Sequence, residues 1–193
     1  PDLCSEPDLA RLRDATVTAR LVPEARVVRR GLELDVVTEI CGQDGSLIFR
    51  QTFTMLQFGQ TQEGTNDQNR ASVAESSLRH AGSLTVDHDV PSNWAHICKD
   101  YNPIHMSDLV AKLFGFPGKL AHGNHVVAMA LQTIGMRTDG GKTPLSMKVG
   151  FRRPVVVPAK LDIRVGGHGA VQSYELLLGS KTAIEGSFGP VQT

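Results

Sequence analysis

The stretch from Asn124 to Met136 limits this chain more than any other. Val126, Val127, Ala128, Met129, Ala130, Leu131, Ile134 and Met136 leave it almost without a polar side. A helix that is apolar nearly all round belongs inside a protein or a bilayer. This one is too short for a bilayer, which takes roughly 20 apolar residues. The stretch is therefore predicted to be a buried helix, with the rest of the core built around it.

What precedes that helix carries the chemistry. His122-Gly123 stands at its start, where backbone N–H groups have no partner within the helix. Glycine has no Cβ, so a ligand can come close to such an N–H, and a helix start of this kind can stabilise a developing oxyanion. Upstream lies D-x-N-P-I-H, running from Asp100 through Asn102 and Pro103 to His105. Carboxylate and imidazole are the commonest proton-moving side chains near neutral pH. On a regular helix these two would point in different directions. Pro103 is expected to forbid a helix through them and to push Asn102 towards extended backbone. A tight loop then turns both side chains towards one point, with Asn102 bonded to nearby backbone. The competing reading of D-x-N-P alone is an ordinary turn with a surface histidine. The conjunction with His122-Gly123 and the buried helix favours catalysis.

D-x-N-P-I-H, then a short helix, then A-H-G opening a buried helix resembles the MaoC-like (R)-specific enoyl-CoA hydratases and 3-hydroxyacyl-thioester dehydratases. The resemblance runs from about Leu84 to the C-terminus. It implies an α+β hotdog fold, an antiparallel sheet wrapped around one central helix. It implies that Asp100 and His105 hold and activate a water, and that the Gly123 N–H polarises a thioester carbonyl. Asn102, His122, Asn124 and Arg152 are the expected substrate-binding residues; Arg152, Arg153 and Lys148 offer charge for the phosphates of coenzyme A. Alternation splits Arg152 and Arg153 between faces, so at most one of them is a candidate, and a solvated basic edge is the favoured reading. Lys99 stands where the family usually has Gly, Asn124 where it usually has Met, and Leu131 where some members carry Ser.

Two further strands are expected before the motif. Leu32 to Ile40 and Leu47 to Leu56 alternate around the turn Cys41-Gly42-Gln43-Asp44-Gly45 and read as a β-hairpin. Val17 to Val22 adds a third strand, and residues 2–14 a short helix. Residues 1–58 are expected to be the strands of an inactive N-terminal hotdog half, 59–82 a polar linker, and 83–193 the catalytic hotdog, together a double hotdog. After the central helix, Met147 to Phe151, Leu161 to Val165, Tyr174 to Leu178 and Thr182 to Phe188 read as strands. Ser107 is expected to cap a helix from Asp108 to Phe114, closed by Gly115.

Composition excludes several classes. Lys and Arg number 20 against 20 Asp and Glu, so no nucleic-acid footprint is indicated. No membrane span, no signal peptide and no cofactor are expected. Cys4, Cys41 and Cys98 form no metal motif or disulfide framework, which points to a reducing, cytoplasmic setting. Pro1 in place of Met leads to the expectation of a segment upstream. The expected partner is an acyl-CoA or acyl-carrier-protein thioester, and the expected assembly a homodimer or hotdog–hotdog pair. The function read from the sequence is reversible hydration of trans-2-enoyl thioesters to (3R)-hydroxyacyl thioesters. Its rivals are a non-catalytic acyl-thioester-binding subunit and, behind it, a hotdog thioesterase.

Overall fold

A computed structural model describes residues 12–28, 31–58, 78–136 and 144–191. The chain divides into two compact units, residues 1–72 and 73–193.

In the first unit, strands β1 (Thr16–Leu21), β2 (Arg26–Val28), β3 (Gly31–Cys41) and β4 (Leu47–Phe58) form one antiparallel sheet. The expected hairpin is β3–β4. β1 and the unanticipated β2 lie along the same edge of β3, at Val36–Cys41 and Gly31–Glu33, with Pro23 between them. Proline fixes φ and gives no N–H to a ladder, so the edge strand breaks there. Directly opposed residues share a face. Leu21–Val36–Phe53 and Val17–Ile40–Phe49 therefore build one apolar side. Val17, Leu21, Phe49, Phe53 and Met55 are exposed on it. The opposite side is charged: Arg26 is bonded to Asp35 and Glu33, and Arg50 to Glu39. Among the described residues this unit has no helix. Leu12 to Asp14 form a turn; the rest of the helix expected over 2–14 lies outside the described residues.

The second unit holds β5 (Arg79–Val86), the helices α1 (Val90–Cys98), α2 (Pro103–Met106), α3 (Asp108–Leu113) and α4 (Gly123–Thr133), then β6 (Leu145–Phe151), β7 (Ala159–His168), β8 (Val171–Leu178) and β9 (Lys181–Pro190). Its antiparallel sheet has the order β5-β7-β8-β9-β6. The inward row Ile163–Leu176–Ile184 and the pair Leu84–Leu161 pack in one cluster with Val126, Val127 and Ala130 of α4. A sheet closed over one central helix is the hotdog, an α+β fold. Tyr174 is buried in the same core, its hydroxyl has no hydrogen-bond partner, and burial pushes its pKa up to about 12.

Several expectations need correction. The linker was expected to run to residue 82, but β5 begins at Arg79. Ala81, Gly82 and Ser83 are small and carry no apolar alternation, and the register shifts between His80 and Gly82. Residues 59–77 and the loop 137–143 lie outside the described residues. The central helix stops at Thr133 rather than Met136. Gly135 takes φ +70°, its N–H donates to Gln132 O (3.0 Å), and Met136 N–H donates to Leu131 O (3.0 Å). That crossed pair is the Schellman ending. Nor is the helix buried all round: Asn124 and Ala128 are exposed. α3 forms as expected, with Ser107 Oγ accepting from Val110 N–H at 3.4 Å, but ends at Leu113.

Candidate active site

The site is assembled by a chain of local turns. α1 ends at Lys99, which adopts φ +59°. That left-handed position is one that glycine adopts without steric cost. Asp100 follows, and its Oδ1 accepts from Asn102 N–H at 3.1 Å. Asn102 Oδ1 in turn accepts from Ile104 N–H at 3.4 Å and caps α2. The reading that Pro103 forbids a helix through the motif is corrected: Pro103 opens the one-turn helix α2. Proline is tolerated at a first helical position because that N–H has no intrahelical partner. The two side chains still converge, because Asp100 lies before the turn and His105 within it.

The segment Leu120-Ala121-His122 holds this loop from below. Leu120 N–H donates to Ile104 O at 3.0 Å. His105 Nδ1 lies 2.9 Å from Leu120 O. A carbonyl only accepts, so Nδ1 carries the proton and Nε2 keeps a free lone pair. Ala121 N–H donates to Val155 O at 2.8 Å, which ties the segment to the chain beyond β6. His122 then starts α4 with φ −69° and ψ 119° and gives it no side-chain cap. The first helical bond is Val126 N–H to His122 O at 3.1 Å. The helix therefore opens with its N–H groups uncapped, as an oxyanion site requires.

Ligand atoms of Asp100, His105 and His122 lie within 4.8 Å of one another. The spacing between carboxylate and imidazole suits one bridging water. The Asp100 side chain is 52% exposed and that of His122 only 7%. Burial lowers the pKa of His122, and the neighbouring His105 lowers it further. The His105 and His122 rings stack with centroids 3.9 Å apart. The cluster also has the composition of a metal site, but His122 Nε2 faces Asp100 O at 3.2 Å as a donor. Turning that nitrogen to a cation would move its proton to Nδ1, which is buried without an acceptor. The donor set suits proton transfer better than a cation.

The remaining expected residues are dispersed. Asn102 is exposed and serves the loop's own turn. Asn124 is exposed on the first turn of α4. Arg152 is bonded to Glu185 across the β6–β9 step, so its guanidinium already has a carboxylate partner. The side of Gly123 on which a Cβ would stand is taken up by Phe151, whose Cε1 would lie 2.5 Å from it.

Four neighbours are not among the residues expected from the sequence at the site. Phe151 is expected only as a strand residue. Trp94 stacks on His125 with centroids 4.2 Å apart and planes 5° apart. His125 lies one helical turn beyond His122, a spacing that puts both on one side of α4 and was the available signal. Its pKa is lowered by burial and then by His122. Lys119 is buried, with Nζ 3.3 Å from Ser92 Oγ, and nothing in the sequence announced it.

The fold and site define a class: a hotdog domain in which a loop carrying Asp100 and His105 lies beside the uncapped start of the central helix. Residues 69–183, more than half of the chain, match the family described as MaoC like domain, and the chain belongs to that family. It is 30% identical over 138 residues to 3-hydroxyacyl-thioester dehydratase X of Mycobacterium tuberculosis, covering 71% of this chain and 48% of that protein. The chain thus spans under half the length of that relative. The crystal structure of HtdX from Mycobacterium tuberculosis superposes with a TM-score of 0.67 at 23% identity, covering 91% of this chain and 68% of that one. A MaoC-like dehydratase from Phytophthora capsici superposes with a TM-score of 0.76 at 16% identity, covering 93% and 65%. At these identities the structural likeness supports the fold.

Proposed function

We propose that this chain hydrates trans-2-enoyl thioesters to (3R)-hydroxyacyl thioesters and catalyses the reverse dehydration, in fatty-acid metabolism. The reading rests above all on Asp100 and His105 lying within one water's span of each other, beside the uncapped start of α4. His105 Nε2 takes a proton from the water held between the two side chains. Asp100, with Oδ1 engaged by the Asn102 N–H, holds the same water through Oδ2 and stabilises the imidazolium that forms. The water oxygen bonds to C3 and the π electrons move to the thioester oxygen. The Gly123 N–H stabilises that charge. The oxyanion collapses as C2 takes the proton back from His105, so one water has added across the double bond.

Coenzyme A or an acyl carrier protein carries the substrate in this reading. The first unit is the strand portion of a second hotdog, and its apolar face is covered in the assembly, by a longer chain or by a second copy. No described helix is long and apolar enough to cross a membrane, and free Cys41 and Cys98 fit a reducing compartment such as the cytoplasm.

The test is incubation with crotonyl-CoA. Loss of enoyl absorbance with a (3R)-hydroxy product is expected. Unchanged absorbance with short and medium enoyl thioesters would remove the hydratase reading, and release of free thiol would replace it with a thioesterase.

A further inference from the structure

His122 was expected among the substrate-binding residues, but its geometry points elsewhere. We propose that His122 is a positioning residue, a neutral clamp that fixes the Asp100 carboxylate and the His105 ring relative to the Gly123 N–H. The proposal rests on the hydratase reading given above. Two contacts carry it. His122 Nε2–H donates to the backbone oxygen of Asp100 at 3.2 Å, across 22 positions of chain. Its ring also lies against the ring of His105, 3.9 Å between centroids and 26° between planes.

The consequence follows from where each contact begins. Leu120 O holds His105, His122 holds Asp100, and Gly123 supplies the N–H, so three residues within one four-residue stretch fix all three working groups. The loop before Asp100 gives little support of its own: Lys99 is left-handed and the Asp100 side chain is half exposed. His122 is the buried member of the set, and a buried side chain holds a geometry that an exposed one cannot. The tautomer suits the task. With the proton on Nε2, the Nδ1 lone pair has no partner. A second proton would bury an N–H without an acceptor and set a charge against His105.

The test compares His122→Ala, His122→Phe and His122→Gln in the full chain. Glutamine carries an amide N–H near the place of Nε2–H; phenylalanine keeps only the ring. Alanine and phenylalanine should lower kcat by about 10- to 100-fold, the scale of a small misplacement of reacting groups, with KM changed much less. Glutamine should recover a large part of that loss. A wild-type kcat in the alanine or phenylalanine variant, or no recovery with glutamine, would overturn the clamp. Nitrogen-15 NMR of the imidazoles gives a readout without substrate. At about pH 8 His122 should be neutral with its proton on Nε2, and it should gain a second proton only at a lower pH than a free histidine. An Nδ1–H tautomer, or an imidazolium formed as readily as in a free histidine, would also overturn it. A chain that hydrates no enoyl thioester yet shows the expected spectrum would sink the hydratase reading and keep the clamp.

Discussion

Gly123 answers to two neighbours at once. Its N–H opens α4, and a Cβ added to it would meet Phe151 at Cε1 (2.5 Å) and Cδ1 (2.9 Å). Both atoms belong to a ring that is 48% exposed, so the ring has room to swing. Gly123→Ala is therefore predicted to destabilise by only about 1 kcal/mol, the low end of what overpacking costs. The same substitution in a Phe151→Leu background should cost much less. Urea midpoints of the two single variants and the double variant measure the coupling. Strictly additive midpoints would mean that the ring is not what the new methyl group meets.

At the scale of elements, α1 ends on strain that the sequence could relieve. A lysine at φ +59° costs about 1 to 2 kcal/mol for its left-handed backbone. Glycine removes that cost but loses about 0.4 to 1 kcal/mol through a freer unfolded chain. Lys99→Gly is predicted to raise the urea midpoint, with a net gain of about 0.5 to 1 kcal/mol and no change in the slope. A lower midpoint would contradict it. Among the turns and helix ends, those legible in the sequence were marked by residues with unusual backbone demands. Asn102 and Pro103 announced the turn, and Ser107 announced the start of α3. Gly135 was as good a stop signal for α4, but the apolar residues on either side of it hid the ending. β5 was illegible where Ala81, Gly82 and Ser83 offer no alternation. Contacts made by backbone oxygen were illegible throughout. Leu120 O holds His105 and Asp100 O receives His122, and any residue type can provide a carbonyl.

At the scale of the whole molecule, the units differ in what their sheets cover. The second folds its sheet over α4. The first leaves Val17, Leu21, Phe49 and Phe53 exposed on one side. A contiguous apolar face of this kind marks an interaction surface or an aggregation hazard. A solution mass of a dimer or larger assembly is therefore predicted for this chain, by light scattering after size-exclusion chromatography. A stable, lone monomer would contradict the hotdog–hotdog assembly. The hairpin was legible because period-two alternation survives without context. What covers its apolar face was not, because no residue within a strand names its partner.

The central claim is that the Asp100 carboxylate holds the reacting water and stabilises the His105 imidazolium at a site already built by its neighbours. Asp100→Asn tests it most directly. Asparagine keeps an Oδ1 that can accept from Asn102 N–H, so the turn survives and only the charge and proton affinity change. Initial rates of crotonyl-CoA hydration should fall about 100-fold or more, the usual weight of a preorganised group that stabilises charge in the transition state, with the urea midpoint unchanged. A folded Asp100→Asn protein that hydrates crotonyl-CoA at close to the wild-type rate would contradict the account.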